Sequence, residues 1–226
     1  MKTIQIAIDG PAGSGKSTIA KLVAKAFNFT HIDTGAMYRA ITLKAMRLNI
    51  DLTNEDAFDF IDQTRFDYKD DHLYMDGVDV SQEIRSREVS NQVSLVSSHL
   101  CVREKTVKRQ QEIADGLNVV MDGRDIGYNV LPNADYKFFL TANVETRARR
   151  RYKENIERGI HSTLDELQKE IAARDDFDSS RVHSPLKPAD DATIIDTSDM
   201  SIEEVIEAIK AKVREDETIW NLKSEK

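Results

Sequence analysis

Thr3-Ile4-Gln5-Ile6-Ala7-Ile8-Asp9-Gly10-Pro11-Ala12-Gly13-Ser14-Gly15-Lys16-Ser17 is a strand-forming run that passes directly into G-x-x-x-x-G-K-S. That spacing is the P-loop pattern. Its glycines let the backbone curl until the N–H groups point inward, the helix predicted from Lys16 offers its positive end, and Lys16 adds a mobile charge. Ser17 is left to give a hydroxyl to Mg2+. The stretch is therefore expected to hold the phosphates of a nucleoside triphosphate. A plain strand-to-helix turn would need one or two glycines and no lysine.

Working outward, further β-rich runs occur at Thr30 to Ile32, Asn118 to Met121, Tyr136 to Leu140 and Ala192 to Ile195. Five short strands alternating with helices predict a buried, mainly parallel sheet covered on both faces. Ile19, Leu22, Val23, Ala26 and Phe27 form a helical stripe after the P-loop, and Met37, Ile41, Ala45 and Leu48 form one on a helix over about Ala36 to Leu48. Phe66 to Val80 breaks the rhythm with short runs around Asp70-Asp71 and Asp76-Gly77, which predicts a small antiparallel insertion. A helical region from Glu88 to Gln111 follows it. Ser201-Ile202-Glu203-Glu204 reads as a capping box opening a last helix whose apolar face is Ile202, Val205, Ile206, Ile209 and Val213. The charged tail from Glu215, with Trp220, is expected to fray.

With 226 residues and no Pro/Gly/Ser-rich linker, the chain reads as one structural unit. A formal net charge of -8 argues against a polymeric nucleic acid or a membrane surface as partner. Small anions fit better. A single cysteine, Cys101, excludes an internal disulfide, and neither a signal pattern nor an apolar run of transmembrane length is present. A cytoplasmic monomer is the expectation. The five histidines, His31, His72, His99, His161 and His183, lack metal-ligand spacing, so the expected metal is Mg2+ carried by the nucleotide. Asp33 or Asp122 would hold its waters, or either would simply cap a turn.

Arginines gather where ligands bind in open α/β sheets, after strand ends. Arg39 follows Asp33-Thr34-Gly35-Ala36-Met37-Tyr38, Arg124 and Asp125 follow the strand ending at Asp122, and Arg174, Asp178 and Arg181 share one segment. Each alone would read as a surface ion pair; together beside a P-loop they favour a second phosphate site. A further cluster, Arg147, Arg149, Arg150, Arg151 and Lys153, precedes Arg158-Gly159. Arg147, Arg150 and Arg151 share a helix face and repel unless an anion joins them, the alternative being a solvated helix paired to Glu145 and Glu154. A closing lid would bring such groups to a transferring phosphoryl and exclude water.

These segments together resemble the bacterial cytidylate kinases, within the nucleoside monophosphate kinases. The likeness runs over nearly the whole chain, through Asp9 to Thr18, Asp33 to Arg39 (DTGAMYR), Asp79 to Val89 (DVSQEIRSREV), Asp122 to Gly127 (DGRDIG), Arg174 to Arg181 with Pro185-Leu186, and Asp196-Thr197-Ser198. It implies a P-loop nucleoside-monophosphate-kinase fold: a five-stranded parallel sheet flanked by helices, a monophosphate-binding region over 34–117 that includes the β insertion, and a helical lid over 145–178. The implied reaction is in-line transfer from MgATP to CMP or dCMP. The resemblance assigns ATP to Gly10 through Thr18 and Arg158. Arg39, Arg124 and Arg181, with Thr34, would grip the acceptor phosphate, and Arg174 with Asp178 would meet the sugar. Ser94, Arg103 and Asp125 would read cytosine, whose amino donor and ring acceptors suit a carboxylate plus an arginine. Lys16, Arg124, Arg150, Arg151 and Arg181 would act on the transferring group.

One departure stands out: the family continues Arg124-Asp125-Ile126-Gly127 with threonine and valine, where this chain has Tyr128 and Asn129. Their bulk would either alter the floor beneath the acceptor or face solvent. Three rivals remain at this level: a kinase of another small acceptor such as shikimate, gluconate or AMP; a GTP switch, against which the chain lacks N-K-x-D; and a non-catalytic nucleotide-binding module, which has no need of the arginines.

Overall fold

The computed structural model describes residues 3–69, 72–157 and 159–214. The Asp70-Asp71 turn, Arg158 and the tail with Trp220 lie outside the described residues. Strand β1 (Gln5–Asp9) leads through the P-loop into helix α1 (Lys16–Phe27), then β2 (Thr30–Asp33) and α2 (Thr34–Arg47). The insertion follows as β3 (Phe66–Lys69), β4 (His72–Met75) and β5 (Val78–Asp79), an antiparallel three-stranded sheet as the sequence predicts. Helices α3 (Arg87–Val96) and α4 (Leu100–Ala114) return the chain to β6 (Val119–Gly123) and β7 (Tyr136–Thr141). Helices α5 (Val144–Glu157) and α6 (Leu164–Ser180), strand β8 (Thr193–Asp196) and α7 (Ile202–Arg214) complete it.

The main sheet has the order β2-β6-β1-β7-β8, and every pairing in it is parallel. Central β1 alternates its side chains between two cores. Ile6 and Ile8 pack with Val120, Phe138, Leu140 and the apolar faces of α1 and α7, whereas Ala7 packs with Ile32, Met121 and Ile126 on the other side. Burial on both faces explains why β1 reads as an unbroken apolar run. A third cluster joins α2, the insertion and α3, and a fourth, small one of Ala148, Leu167 and Ile171 joins α5 to α6. Among the described residues no helix is long and apolar enough to cross a membrane.

Three details depart from the sequence reading. The buried stripe of α1 is Ile19, Ala20, Val23, Ala24 and Phe27, while Leu22 and Ala26 face outward. Leu48 and Ile202, expected in apolar faces, are exposed because they lie at or beyond helix ends. The region from Glu88 to Gln111 is two helices. The hydroxyls of Ser97 and Ser98 donate to the carbonyls of Ser94 and Leu95, satisfying the end of α3 and letting the chain turn at His99. The capping box at Ser201 is present: the Ser201 hydroxyl accepts from Glu204 N at 3.2 Å, and the Glu204 carboxylate accepts from Ser201 N at 2.7 Å.

Candidate active site

Beneath the P-loop lies a demand for glycine that only close packing creates. A Cβ on Gly10 would stand 2.1 Å from the carbonyl oxygen of Leu140 on β7. Gly15, at φ +87°, begins α1 in the left-handed region that L side chains avoid. The loop is also clamped from outside. Arg147 of α5 donates to Ala12 O at 3.1 Å and pairs with Asp175 of α6; Arg150 donates to Ser14 O at 3.1 Å and to Thr197 O at 2.6 Å. The arginine cluster of α5 is thus divided: Arg147 and Arg150 bind loop carbonyls, Arg149 pairs with Glu145, and Arg151 stands 3.9 Å from Glu154 on the cleft that Arg39 and Arg174 also line.

Parallel register puts Asp33 of β2 opposite Asp122 of β6 at the C-terminal ends of their strands. Ser17 Oγ donates to Asp122 Oδ2 at 2.5 Å, His31 Nε2 lies 2.8 Å from Oδ1, and the Thr34 hydroxyl donates to the Asp122 carbonyl at 2.7 Å. Asp33 caps α2 by accepting from Ala36 N at 2.9 Å and pairs with Arg39 at 2.8 Å. Burial raises its carboxyl, but Arg39 and the Ala36 N–H outweigh that and hold it below the usual range. Of the two carboxylates weighed for metal, Asp122 is the one joined to Ser17. A hydroxyl and a carboxylate side by side are oxygen donors of the kind Mg2+ takes. No group of three or more His, Cys, Asp or Glu suited to a metal occurs among the described residues.

Six cations, Lys16 with Arg39, Arg103, Arg124, Arg174 and Arg181, line one cavity, faced by the carboxylates of Asp33, Asp122, Asp125 and Asp178. Arg124 donates to Gly10 O at 2.9 Å and to Asp178 at 3.0 Å, tying P-loop to α6. Asp178 also bonds Arg181 and lies 3.8 Å from Arg174; burial raises its carboxyl, and the three guanidinium groups bring it below the usual range. The Nε atoms of Arg39, Arg103, Arg174 and Arg181 are buried without a hydrogen-bond partner among the described residues. Burial, then the charge of Arg124, lowers Lys16 to about 7 and Arg174 to about 9. Cations exceed carboxylates in this lining, so the cavity favours a further anion.

Deeper in, Arg103 and Asp125 form a buried pair, Arg103 donates to Ser97 O at 3.1 Å, and its guanidinium lies 5.5 Å from the Tyr38 ring centre. Ser94 sits apart from them, on an adjoining cleft of about 410 Å3 shared by α3, α5 and α6. Ser97, three residues on, lines the cavity instead, its hydroxyl accepting from Arg181 at 3.1 Å. Sequence reasoning missed Ser97, the Arg147 clamp and Asp9. Asp9 accepts from Ile126 N and Gly127 N, both at 2.8 Å, so it pins the turn that carries Arg124 and Asp125. Burial pushes its carboxyl up to about 7. The only signal for these was position: a polar residue ending a strand, and a serine pair interrupting a helix.

A family model described as Cytidylate kinase matches residues 6–215. The cytidylate kinase of Bacillus cytotoxicus is 51% identical over 219 residues, covering 95% of this chain and 97% of that one. The cytidylate kinase of Streptococcus pneumoniae is 52% identical over 218 residues, covering 94% and 98%. A solved structure, of an uncharacterized protein from Eubacterium ventriosum, aligns with a TM-score of 0.53 at 12% identity over 95% of this chain and 100% of that chain, a likeness of fold alone.

Proposed function

The chain belongs to the cytidylate kinase family, and from that premise we propose that it transfers a phosphoryl group from ATP to CMP, and to dCMP as well. One observation carries the reading: a P-loop lysine and five arginines share one cavity, and four of those arginines have a buried donor unpaired. A binding module for ATP alone has no use for a second set of phosphate clamps.

In this reading Gly10 through Thr18 hold the triphosphate, with Arg158 of the lid on the ATP side. Arg39, Arg124 and Arg181 grip the acceptor phosphate beside Thr34, Arg174 and Asp178 meet the sugar, and Arg103 and Asp125 read cytosine together with Ser94 from the adjoining cleft. Contact with the sugar 3'-hydroxyl, and none demanded at the 2' position, admits dCMP. Uracil has no amino donor for Asp125 and is rejected by an acceptor left unpaired. Ser17 and Asp122, the latter through water, would hold Mg2+, with Asp33 beside them. When bound, the ion neutralises charge on the donor phosphates. No general base is needed, because the attacking group is already a phosphate oxyanion. The protein's part is to align the two nucleotides and to set Lys16, Arg124, Arg150, Arg151 and Arg181 against the charge of the transferring group. Residues 34–117 act as the monophosphate-binding region and 145–178 as the lid. Each has its own apolar cluster, which supports motion as units.

A coupled assay of ADP release across CMP, dCMP, UMP, AMP, shikimate and gluconate tests this. Turnover is expected with CMP and dCMP. Strong turnover of AMP with none of CMP overturns the acceptor assignment.

A further inference from the structure

The turn after Asp125 winds as one π-helical turn over Ile126–Val130. It brings Asn129 back onto the residue that precedes it. Asn129 Nδ2 donates to Asp125 Oδ2 at 2.7 Å and to Ser184 Oγ at 3.1 Å. The same Oδ2 accepts from Arg103, while Oδ1 has no hydrogen bond among the described residues. The carboxylate is therefore asymmetric: one oxygen is occupied by a cation and an amide, the other is left for whatever enters the cavity that Asp125 lines. Two donors on one oxygen also stop the carboxylate from rotating.

We propose that Asn129 is a positioning residue for base selection: it fixes Asp125 so that Oδ1 alone faces the exocyclic amino group of cytosine. This rests on the reading of Asp125 given above. The competing role is a staple for the loop after α6. That loop already has other fastenings: the Tyr128 hydroxyl donates to Pro185 O, Lys187 Nζ lies 5.2 Å from the Tyr128 ring centre, and Leu186 N donates to Asp178 O at 2.8 Å. Loop anchoring therefore does not require Asn129, whereas no other neutral side chain hydrogen-bonds the Asp125 carboxylate among the described residues.

The test uses Asn129→Asp, Asn129→Ala, Ser184→Ala and Asp125→Ala, each assayed for KM of CMP and of ATP, for the CMP-to-UMP ratio of kcat/KM, and for Tm. Asn129→Asp keeps the shape but sets a second carboxylate against the first. It should raise KM for CMP about tenfold or more and cut the CMP-to-UMP ratio, with KM for ATP within about twofold. Asn129→Ala should do the same less strongly. Ser184→Ala, which leaves the Asn129 to Asp125 bond in place, should stay within about twofold for CMP. A purely steric role reverses the order, with Asn129→Asp milder than Asn129→Ala, and overturns the proposal. So does an equal loss for both substrates, or a Ser184→Ala variant that reproduces the whole effect. Should Asn129→Asp not fold, the split between CMP and ATP in Asn129→Ala decides. Asp125→Ala separates the two levels: if it weakens CMP and the Asn129 variants do not, only the role of Asn129 falls. If it leaves CMP unchanged, the reading of Asp125 falls with it.

Discussion

Lys16 stands near neutrality, because burial and the charge of Arg124 push its ammonium down from 10.5 to about 7. A polyphosphate beside it reverses that balance. Between those two pH values the free protein holds Lys16 mainly neutral and the ATP complex holds it charged, so binding takes up a proton. ATP affinity should then fall as pH rises above about 7, by at most about tenfold per pH unit. Titration calorimetry at about pH 8.5 in buffers of different ionisation enthalpy should read about one proton gained. Lys16→Ala should abolish that uptake and cut turnover by orders of magnitude; the same uptake in the variant would assign the proton elsewhere. At this scale the sequence showed which charged residues come together, on β6's end and on α2 and α6 alike. Arg39, Arg124, Asp125, Arg174, Asp178 and Arg181 line one cavity. It could not show that the Ser97 carbonyl meets Arg103, because that contact depends on where α3 stops. Nor could it show that Arg150, counted among groups acting on the phosphoryl, spends its donors on Ser14 and Thr197.

Arg147 on helix α5 shows how a residue serves the site without touching substrate. Arg147 is 5% exposed, holds the carbonyls of Ala142 and Ala12, and pairs with Asp175, whose other oxygen has no hydrogen bond among the described residues. Arg147→Met should cost about 2 kcal/mol in urea denaturation, because it leaves a partly buried carboxylate uncompensated. It should also raise KM for ATP more than KM for CMP, since the P-loop loses its outer clamp. Unchanged stability together with an unchanged KM for ATP would reduce the contact to decoration. All five main-sheet strands were legible as elements because each is short and bounded by turn residues and all but β2, which has Ile32 alone, carry an apolar run, and the antiparallel insertion was legible from its alternation around Asp76-Gly77. The faces of α1 and the break at Ser97 were not. Small alanines at Ala20 and Ala24 pack against the sheet where pattern alone favours the larger Leu22. A helix stop built from serines has no glycine or proline to announce it.

Across the whole molecule a formal net charge of -8 coexists with a cavity where five arginines, beside Lys16, outnumber four carboxylates. The free protein therefore stores repulsion where its ligands carry the opposite charge, and part of the binding energy is release of that repulsion. Arg174 is the sharpest case: its Nε is buried without a hydrogen bond among the described residues, and burial together with Arg124 lowers its guanidinium to about 9. Asp178 would still keep Arg124 and Arg181 if Arg174 were removed. Arg174→Met keeps the length of the side chain and deletes the charge, so it should stabilise the ligand-free protein by about 1 kcal/mol in chemical denaturation. The same variant should raise KM for CMP, and adding CMP should increase its Tm less than it does for the unaltered chain. A variant that is less stable without ligand would mean that Arg174 holds the fold together on its own account, and the site would then owe its cations to architecture rather than to the phosphates they await.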